Sequence, residues 1–332
     1  MDFHNKIKSL LFGLVIGDAL GVPFEFRSRA YLKYNPVEGM TTDITFNKPL
    51  GTFSDDSSLS FTLVESLIKG YDLNDIAQNI VRWYDEGYWS SDGIAYGVGY
   101  TTRIAIRNIQ NNIGPLFSGE VREMNNGNGS LMRVAPLVFI LKSKDIEERF
   151  KITKEVSSIT HAHLRSSLAC FYYLEFLRHI LENKLNKYEI YHKLQKDIPK
   201  FLDKYFKTNV FRNEKYYTKE EDYEFYKEEI QHFNRLLEGN IYELDKKEIK
   251  SDLYVVDTIQ ASIWCLLTED NYKESVLKAV NLGGDTDTTA SVTGALAGLL
   301  YGFESIPKKW VKTVARSNDI EELAIRFADS FI

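Results

Sequence analysis

This chain contains few cysteines and prolines, and neither sign of charge is in large excess. Its 332 residues include two cysteines and seven prolines, and 41 basic against 47 acidic residues give a net charge of −6. Two cysteines cannot make a disulfide framework, which fits a reducing compartment. A net negative surface repels phosphate backbones, so we expect no stable nucleic-acid binding.

Long hydrophobic runs are also missing. The longest uncharged run, 288–303, is rich in Thr, Ser and Gly and is shorter than the roughly 20 residues that span a bilayer. The apolar stretch Leu10–Gly17 is followed at once by Asp18, without the small-residue cleavage site of a secretory signal. From these absences we expect a soluble cytoplasmic protein that does not engage a membrane.

What the sequence does contain is helical periodicity. Alternating strand patterns are scarce, no strand–helix unit repeats, and most prolines lie between the periodic segments. These features predict an all-α fold. Apolar residues recur at spacings of three and four in six segments: Lys6–Gly17, Leu59–Ile68, Leu73–Tyr84, Ile146–Ile159, Arg165–Leu181 and Val255–Leu267.

The segment 182–252 differs in composition from the rest. It holds 15 basic and 16 acidic residues and eight of the twenty tyrosines. Mixed charge is typical of a solvated helical hairpin, while exposed tyrosines leave open a partner-binding or substrate-gating role. Because periodic segments flank it on both sides, we interpret it as an insertion in a single domain spanning residues 1–332.

Two acidic clusters each stand where a helix is predicted to begin. N-capping is one explanation, because Ser, Thr and Asp are favoured caps. One cap needs one oxygen, however, and each cluster supplies two carboxylates with no Lys or Arg nearby. Such oxygens suit Mg²⁺, Mn²⁺ or Ca²⁺, so clusters that meet would form a dinuclear site. The first contains Ser54, Asp55 and Asp56, and the second contains Asp285, Asp287 and Thr288.

Three further segments hold candidate binding or catalytic residues. Asn125–Arg133 is rich in Gly and Asn, which either turns backbone N–H groups onto a phosphate or forms a plain turn. His161 and His163 precede another helix, where a histidine caps, faces solvent or meets a ligand. The opening helix runs into Asp18 and then Glu25, which lie either over a cleft or in a solvated turn.

With these segments in this order, the chain resembles the ADP-ribosylglycohydrolase family. The most specific match is 281–288, Asn-Leu-Gly-Gly-Asp-Thr-Asp-Thr, preceded by 254–258, Tyr-Val-Val-Asp-Thr. Further matches are Gly13–Gly21, Gly127–Arg133 and the Thr160-His161 pair. The resemblance covers most of the chain outside 182–252.

The resemblance implies an all-α fold whose central cleft holds ADP-ribose and two Mg²⁺ ions, with Mn²⁺ able to substitute. By motif match, Glu25 lies on a mobile loop over the cleft and His161 lines the ligand pocket. The diphosphate and the neighbouring ribose are held by Gly127, Asn128, Gly129 and Ser130. The metal ligands are Ser54, Asp55 and Asp56 on one side and Asp285, Asp287 and Thr288 on the other.

The chain departs from the family pattern at two places. Ser54 stands where Thr is usual, and the hydroxyl is retained. Gly97 stands where arginine-type relatives have an Asp that faces the guanidinium. We therefore expect Gly97→Asp to raise activity on arginine conjugates, with Asp92 or Glu25 as substitute acids in the native chain.

The predicted reaction is Mg²⁺-dependent hydrolysis of the C1″ glycosidic bond that joins ADP-ribose to a protein side chain, arginine first. Asp56 is the candidate for deprotonating a metal-bound water, and Glu25 for contacting or protonating the leaving group. The expected partner is an ADP-ribosylated protein or a small ADP-ribose conjugate. Alternatives are a hydrolase of serine-linked, O-acyl- or nucleobase-linked ADP-ribose, a two-metal nucleotide phosphohydrolase, and a silent ADP-ribose binder.

Overall fold

A computed structural model describes residues 2–42, 48–209, 211 and 218–332. Within these ranges the chain forms sixteen α-helices and no β-strand, so the all-α prediction is confirmed. The helices are α1 (Phe3–Gly21), α2 (Arg29–Tyr34), α3 (Asp55–Ile68), α4 (Leu73–Glu86), α5 (Tyr100–Gln110), α6 (Val138–Leu141), α7 (Ile146–Ser158), α8 (Leu164–Glu182), α9 (Lys187–Thr208), α10 (Lys219–Ile230), α11 (Asn234–Leu237), α12 (Val255–Thr268), α13 (Tyr272–Val280), α14 (Thr286–Tyr301), α15 (Lys308–Thr313) and α16 (Ser317–Asp329).

Helices α1 and α14 pack against each other at the centre of the fold. Small residues make this close approach possible. A Cβ at Gly13 would come within 2.3 Å of the Gly294 carbonyl oxygen, and one at Gly17 within 2.1 Å of the Ala290 carbonyl oxygen. The end of α1 and the start of α14 therefore lie side by side, where Thr286 Oγ1 donates a hydrogen bond to the Gly21 carbonyl at 2.8 Å.

The core position of α1 accounts for its apolar composition. With the turn that follows it, Phe3–Phe24 has a mean hydropathy of 1.6 and is long enough to cross a membrane, by length and composition alone. In the fold, 83% of its most apolar window is buried inside the protein. Burial of this extent is what a central helix packed on α14 requires.

The charged segment 182–252 packs on the core wherever the structure describes it; residues 210 and 212–217 lie outside the described residues. Helix α9 packs on α8, and α10 packs on α9. The solvated faces carry the charges, while an aromatic cluster fills the contact, with the rings of Phe206 and Tyr226 stacked at 4.6 Å. The predicted helices are present, and they bury an apolar face. The interpretation of this segment as an insertion stays a prediction.

Candidate active site

Most of the candidate residues line one cavity of about 340 Å³. The cavity is lined by the starts of α3 and α14, the loop after α1, the turn before α8 and residues 125–133, the glycine-rich loop. The candidates that line it are Glu25, Asp55, Asp56, Gly127, Asn128, Gly129, His161, Asp285, Asp287 and Thr288. Ser54 and Ser130 lie behind this wall, in contact with residues that line it or support it.

The two acidic clusters meet in the fold. Ser54 is the N-cap of α3, and its hydroxyl donates to Asp56 Oδ2 at 3.1 Å. From the other helix, Thr288 Oγ1 donates to the same Asp56 oxygen at 3.3 Å, although the two residues are 232 positions apart. This bond joins the start of α14 to the start of α3.

Capping does not account for the carboxylates of these clusters. Asp285 is the N-cap of α14, yet its side chain makes no capping hydrogen bond. It instead accepts a hydrogen bond from the side-chain amide of Asn128. Asp56 Oδ1 is buried and has no hydrogen-bond partner among the described residues. Oxygens of Glu25, Asp285 and Asp287 lie within 4.8 Å of one another. The carboxylates face each other instead of the helix ends.

Burial raises the pKa of four of these carboxyl groups, and repulsion from neighbouring carboxylates of the site raises it further for three of them. Desolvation is the largest cause for each of Asp55, Asp56, Asp285 and Asp287. Neighbouring carboxylates come next for Asp55, Asp56 and Asp287. A cation between them would remove this penalty, and a set of carboxylate and hydroxyl oxygens is what hard divalent cations prefer.

The loop that carries Glu25 is tied to the start of α14. The Phe26 amide donates to the Gly284 carbonyl at 2.7 Å, and the Gly284 amide donates to the Arg27 carbonyl at 2.9 Å. Phe26 adopts a φ of 61°, a left-handed conformation that is costly for a bulky side chain. These contacts place Glu25 beside Asp285 and Asp287.

Asp18 is a residue of this site whose role the sequence left open. Its buried carboxylate accepts hydrogen bonds from the Ser54 amide at 3.0 Å, the Ser57 amide at 3.0 Å and the Ser57 hydroxyl at 2.6 Å. Burial outweighs these bonds and raises the pKa of Asp18 to about 6. Asp18 therefore fixes the first turn of α3. The signal in the sequence was a lone carboxylate inside an apolar helix, which needs partners when buried.

The glycine-rich loop is held against the segment before α12. Gly127 pairs with Tyr254, and the Asn128 amide donates to the Leu253 carbonyl at 3.0 Å. The Asn128 side chain donates to Asp285 and to Thr258 Oγ1, so it supports the acidic cluster. In the described part of the chain, the amides of Gly127 and Gly129 have no hydrogen-bond partner. These two donors are available to an anion.

Ser130 turns away from the cavity. Its hydroxyl accepts a hydrogen bond from Ser157 Oγ at 3.0 Å and lies 3.5 Å from Cys170 Sγ. The side chain is fully buried. Of the loop residues predicted to hold the ligand, Gly127, Asn128 and Gly129 reach the cavity and Ser130 supports them from behind.

His161 packs into the wall beside the glycines. A Cβ at Gly129 would come within 2.8 Å of the imidazole Cε1, so a larger residue there would displace the ring. Burial, assisted by the charge of Arg133, lowers the pKa of His161 to about 3. The imidazole is therefore neutral at physiological pH.

Gly97 contradicts the expectation that an Asp there would simply add a carboxylate. It adopts a φ of +85°, and a Cβ would lie 2.3 Å from Asp55 Oδ1. Gly97→Asp would displace Asp55. Asp92 is not a substitute acid, because it forms an ion pair with Lys48 at 2.7 Å and does not line the cavity. Glu25 and Asp55 are the carboxylates that face this side.

The rim of the cavity holds residues that no sequence pattern singled out. Tyr100, Met124 and Leu253 line its mouth with 72%, 82% and 53% of their surface exposed. They stand singly in loops or at a helix start, so periodicity gave no signal for them. Their exposure leaves an apolar entrance to a polar cavity.

Fold and cavity together define an all-α protein whose central cleft sets paired acidic clusters opposite a glycine-rich wall. A sequence model described as ADP-ribosylglycohydrolase matches residues 1–332. The chain belongs to the ADP-ribosylglycohydrolase family.

Individual relatives agree with this assignment. The chain is 30% identical over 322 residues to "ADP-ribosylarginine hydrolase Tri1" of Serratia proteamaculans (strain 568), covering 96% of this chain and 78% of that protein. It is 25% identical over 316 residues to "ADP-ribosyl-[dinitrogen reductase] glycohydrolase" of Rhodospirillum rubrum, covering 93% and 90%. A solved structure titled "ADP-ribosylglycohydrolase-related protein complex" superposes with a TM-score of 0.76 at 25% identity, covering 99% of each chain.

Proposed function

We propose that this protein hydrolyses the C1″ bond between ADP-ribose and an arginine side chain, with divalent metal bound in the cavity. The observation that carries the proposal is the meeting of two buried acidic clusters, through Thr288 and Asp56, in the cavity that Gly127 and Gly129 also line with free amides. Names of relatives supply the substrate class, because one is an ADP-ribosylarginine hydrolase and another removes ADP-ribose from dinitrogen reductase.

The metal ligands in this proposal come from both helix starts. The unpartnered Asp56 Oδ1 and the raised pKa of the clustered carboxyl groups support their assignment. Mg²⁺ or Mn²⁺ suits such oxygens, and a bound ion would supply Lewis acidity toward the ribose hydroxyls and a water. The residues that would hold the ions are Ser54, Asp55, Asp56, Asp285, Asp287 and Thr288.

Residues of the chain carry out the other parts of the proposed reaction. Hydrolysis forms a bond from the water oxygen to C1″, breaks the C1″–N bond and returns a proton to the departing nitrogen. We assign the proton of the attacking water to Asp56, whose Oδ1 has no other partner in the part of the chain that the structure covers. The surrounding carboxylates stabilise positive charge that develops at C1″. The amides of Gly127 and Gly129 hold the diphosphate.

Glu25 is our candidate for contacting or protonating the leaving group. It lies beside Asp285 and Asp287 and lines the same cavity as Gly97. Because Gly97 supplies no carboxylate, Glu25 and Asp55 are the acids left to face a guanidinium. The same absence favours a second candidate, hydrolysis of serine-linked ADP-ribose, whose leaving group carries no positive charge for a carboxylate to pair with.

Mass spectrometry of products from matched substrates tests the proposal. The native protein with Mg²⁺ is incubated with peptides carrying ADP-ribose on arginine or on serine and with free ADP-ribose. We expect intact ADP-ribose and unmodified arginine peptide, with Asp287→Asn as the inactive control. Release of AMP would mean a nucleotide phosphohydrolase instead. Turnover of the serine peptide alone would select the serine-linked candidate.

A further inference from the structure

A chain of hydrogen bonds runs from a buried arginine to the ring of His161. Arg133 Nη2 donates to the Val156 carbonyl at 2.8 Å and to Thr160 Oγ1 at 2.9 Å. Thr160 Oγ1 in turn lies 2.9 Å from His161 Nδ1. Arg133 is 1% exposed, and its Nε and Nη1 have no partner among the described residues. Its guanidinium is held in place for the contact with Thr160.

The direction of these bonds follows from what each group can do. A guanidinium only donates, so Thr160 Oγ1 must accept from Arg133. The Thr160 hydroxyl proton then needs an acceptor of its own. Within the described residues, His161 Nδ1 is the one acceptor in reach of that proton. An Nδ1 that accepts carries no proton, so the neutral ring carries its proton on Nε2.

Nε2 of His161 faces Gly127 and Gly129 in the cavity wall. It makes no hydrogen bond within the described ranges, and ideal Cβ positions at Gly127 and Gly129 lie 3.6 and 3.3 Å from it. His161 itself lines the cavity. The Nε2–H group therefore stands beside the free amides of Gly127 and Gly129, and all three are donors.

We propose that Arg133 and Thr160 are positioning residues that lock His161 in the Nε2–H tautomer, which makes its ring a fixed neutral donor to a ligand oxygen at the Gly127–Gly129 wall. The ligand atom bound there would be a hydrogen-bond acceptor, such as a phosphate oxygen. The assignment of the tautomer is independent of the proposed function. Only the choice of ADP-ribose as a probe rests on that function.

Long-range proton–nitrogen correlation spectra of ¹⁵N-histidine-labelled protein test the tautomer directly. The chain has six histidines, and the spectrum of His161→Gln assigns the signal that belongs to His161. We expect a neutral ring protonated at Nε2 in the native protein without ligand. A ring protonated at Nδ1, or a mixture of both tautomers, would overturn the proposal whether or not ADP-ribose binds.

Calorimetry with ADP-ribose tests the positioning role. Thr160→Val removes the hydroxyl at nearly constant volume, and we expect it to mix the tautomers and weaken ADP-ribose binding by about 3- to 10-fold. Thr160→Ser restores both readouts. The matched control is Thr153→Val, since this buried hydroxyl bonds only within α7, to the Arg149 carbonyl. Unchanged tautomer and affinity in Thr160→Val would remove Thr160 from the role.

A second pair of variants decides the point if Thr160→Val does not fold. The amide of Gln places an N–H near the position of Nε2, and the shorter amide of Asn places it near that of Nδ1. We expect His161→Gln to keep most of the affinity for ADP-ribose and His161→Asn to lose it. The opposite order would contradict the Nε2–H assignment. Absence of ADP-ribose binding by the native protein would count against the proposed function and leave the tautomer result standing.

Discussion

Gly97 shows how one missing side chain can set the position of a carboxylate in the cavity. Its φ of +85° and the 2.3 Å between an ideal Cβ position and Asp55 Oδ1 are two separate demands for glycine. We expect Gly97→Ala and Gly97→Asp both to lower turnover, because each moves Asp55 from the cluster. Steady-state kinetics on an ADP-ribosylated arginine peptide measure the loss.

Gly93 offers the matched control for that prediction. It adopts a similar φ of +82°, and a Cβ there would meet nothing within 4 Å. Gly93→Ala therefore introduces the same backbone strain, about 1 kcal/mol, without the contact with Asp55. Equal losses of activity in Gly93→Ala and Gly97→Ala would show that strain alone, and not Asp55, decides the outcome.

His161 gives a pH prediction with a definite sign. Its pKa falls from 6.5 to about 3 in the fold, so between these values the unfolded chain binds more protons than the native protein. Stability from the neutral ring is complete above pH 6.5 and is lost as the pH falls. Between pH 6.5 and 5 we expect a loss of about 2 kcal/mol that His161→Gln does not share. Urea denaturation of both proteins at each pH measures it, and parallel curves would contradict it.

Among the elements, the first turn of α3 depends on Asp18 in α1. All the hydrogen bonds that Asp18 receives come from N–H or O–H donors of Ser54 and Ser57. Asp18→Asn leaves one acceptor oxygen and turns an NH₂ group toward donors. We expect this change to weaken Mg²⁺ binding by about 10- to 100-fold, as loss of support for a ligand does in other metal sites. Calorimetric titration with Mg²⁺ checks this.

The control for Asp18→Asn is a cap far from the cavity. Asp72 accepts hydrogen bonds from the Asn74 and Asp75 amides at the start of α4. Asp72→Asn is expected to leave Mg²⁺ affinity unchanged. If both variants bind Mg²⁺ as the native protein does, Asp18 serves α3 only as an ordinary cap.

The helices themselves were the most predictable elements. All six periodic segments coincide with helices, because each has a continuous apolar face that the fold buries. The charged segment was harder to interpret. Its apolar positions, such as Leu194 and Phe201 in α9, are diluted by charges, and their packing on α8 depends on a surface that the sequence does not display.

For the whole molecule, the facing carboxylates predict that metal and folding are coupled. Repulsion among Asp55, Asp56 and Asp287 opposes the native state, and a bound cation would offset it. At a hundredfold excess over the dissociation constant, Mg²⁺ should stabilise the protein by about 2.7 kcal/mol. Thermal unfolding with Mg²⁺ and with chelator measures this as a rise in Tm.

Asp287→Asn is the comparison protein for the metal prediction. It removes one charge at constant size, so it should be at least as stable as the native protein in chelator and should gain less from Mg²⁺. A native Tm that ignores both millimolar Mg²⁺ and chelator would contradict the metal site. A variant that melts early and remains active would show that Asp287 only stabilises the first turn of α14, an effect of about 0.3–1 kcal/mol.

The sequence predicted which residues form the site better than how they support each other. Paired acids without basic neighbours indicated a metal site only if the two clusters met, and the family resemblance placed them on two sides of one cleft. The roles of Asp18, Gly97 and Ser130 were not predictable, because each depends on a contact with a residue from another part of the chain. Periodicity and motif order do not give the distances between side chains from different parts of the chain, and these roles depend on those distances.

The order of the chain has a consequence for its synthesis. Asp56 and Thr288 are 232 positions apart, and a ribosome adding about 5–20 residues per second needs on the order of 10–50 s between them. During this interval the apolar α1 has not yet met α14, and the acids of α3 have no opposing cluster. A nascent chain that ends before Asp285 therefore cannot carry the proposed hydrolase centre, so the proposed activity begins only after the second acidic cluster has been translated.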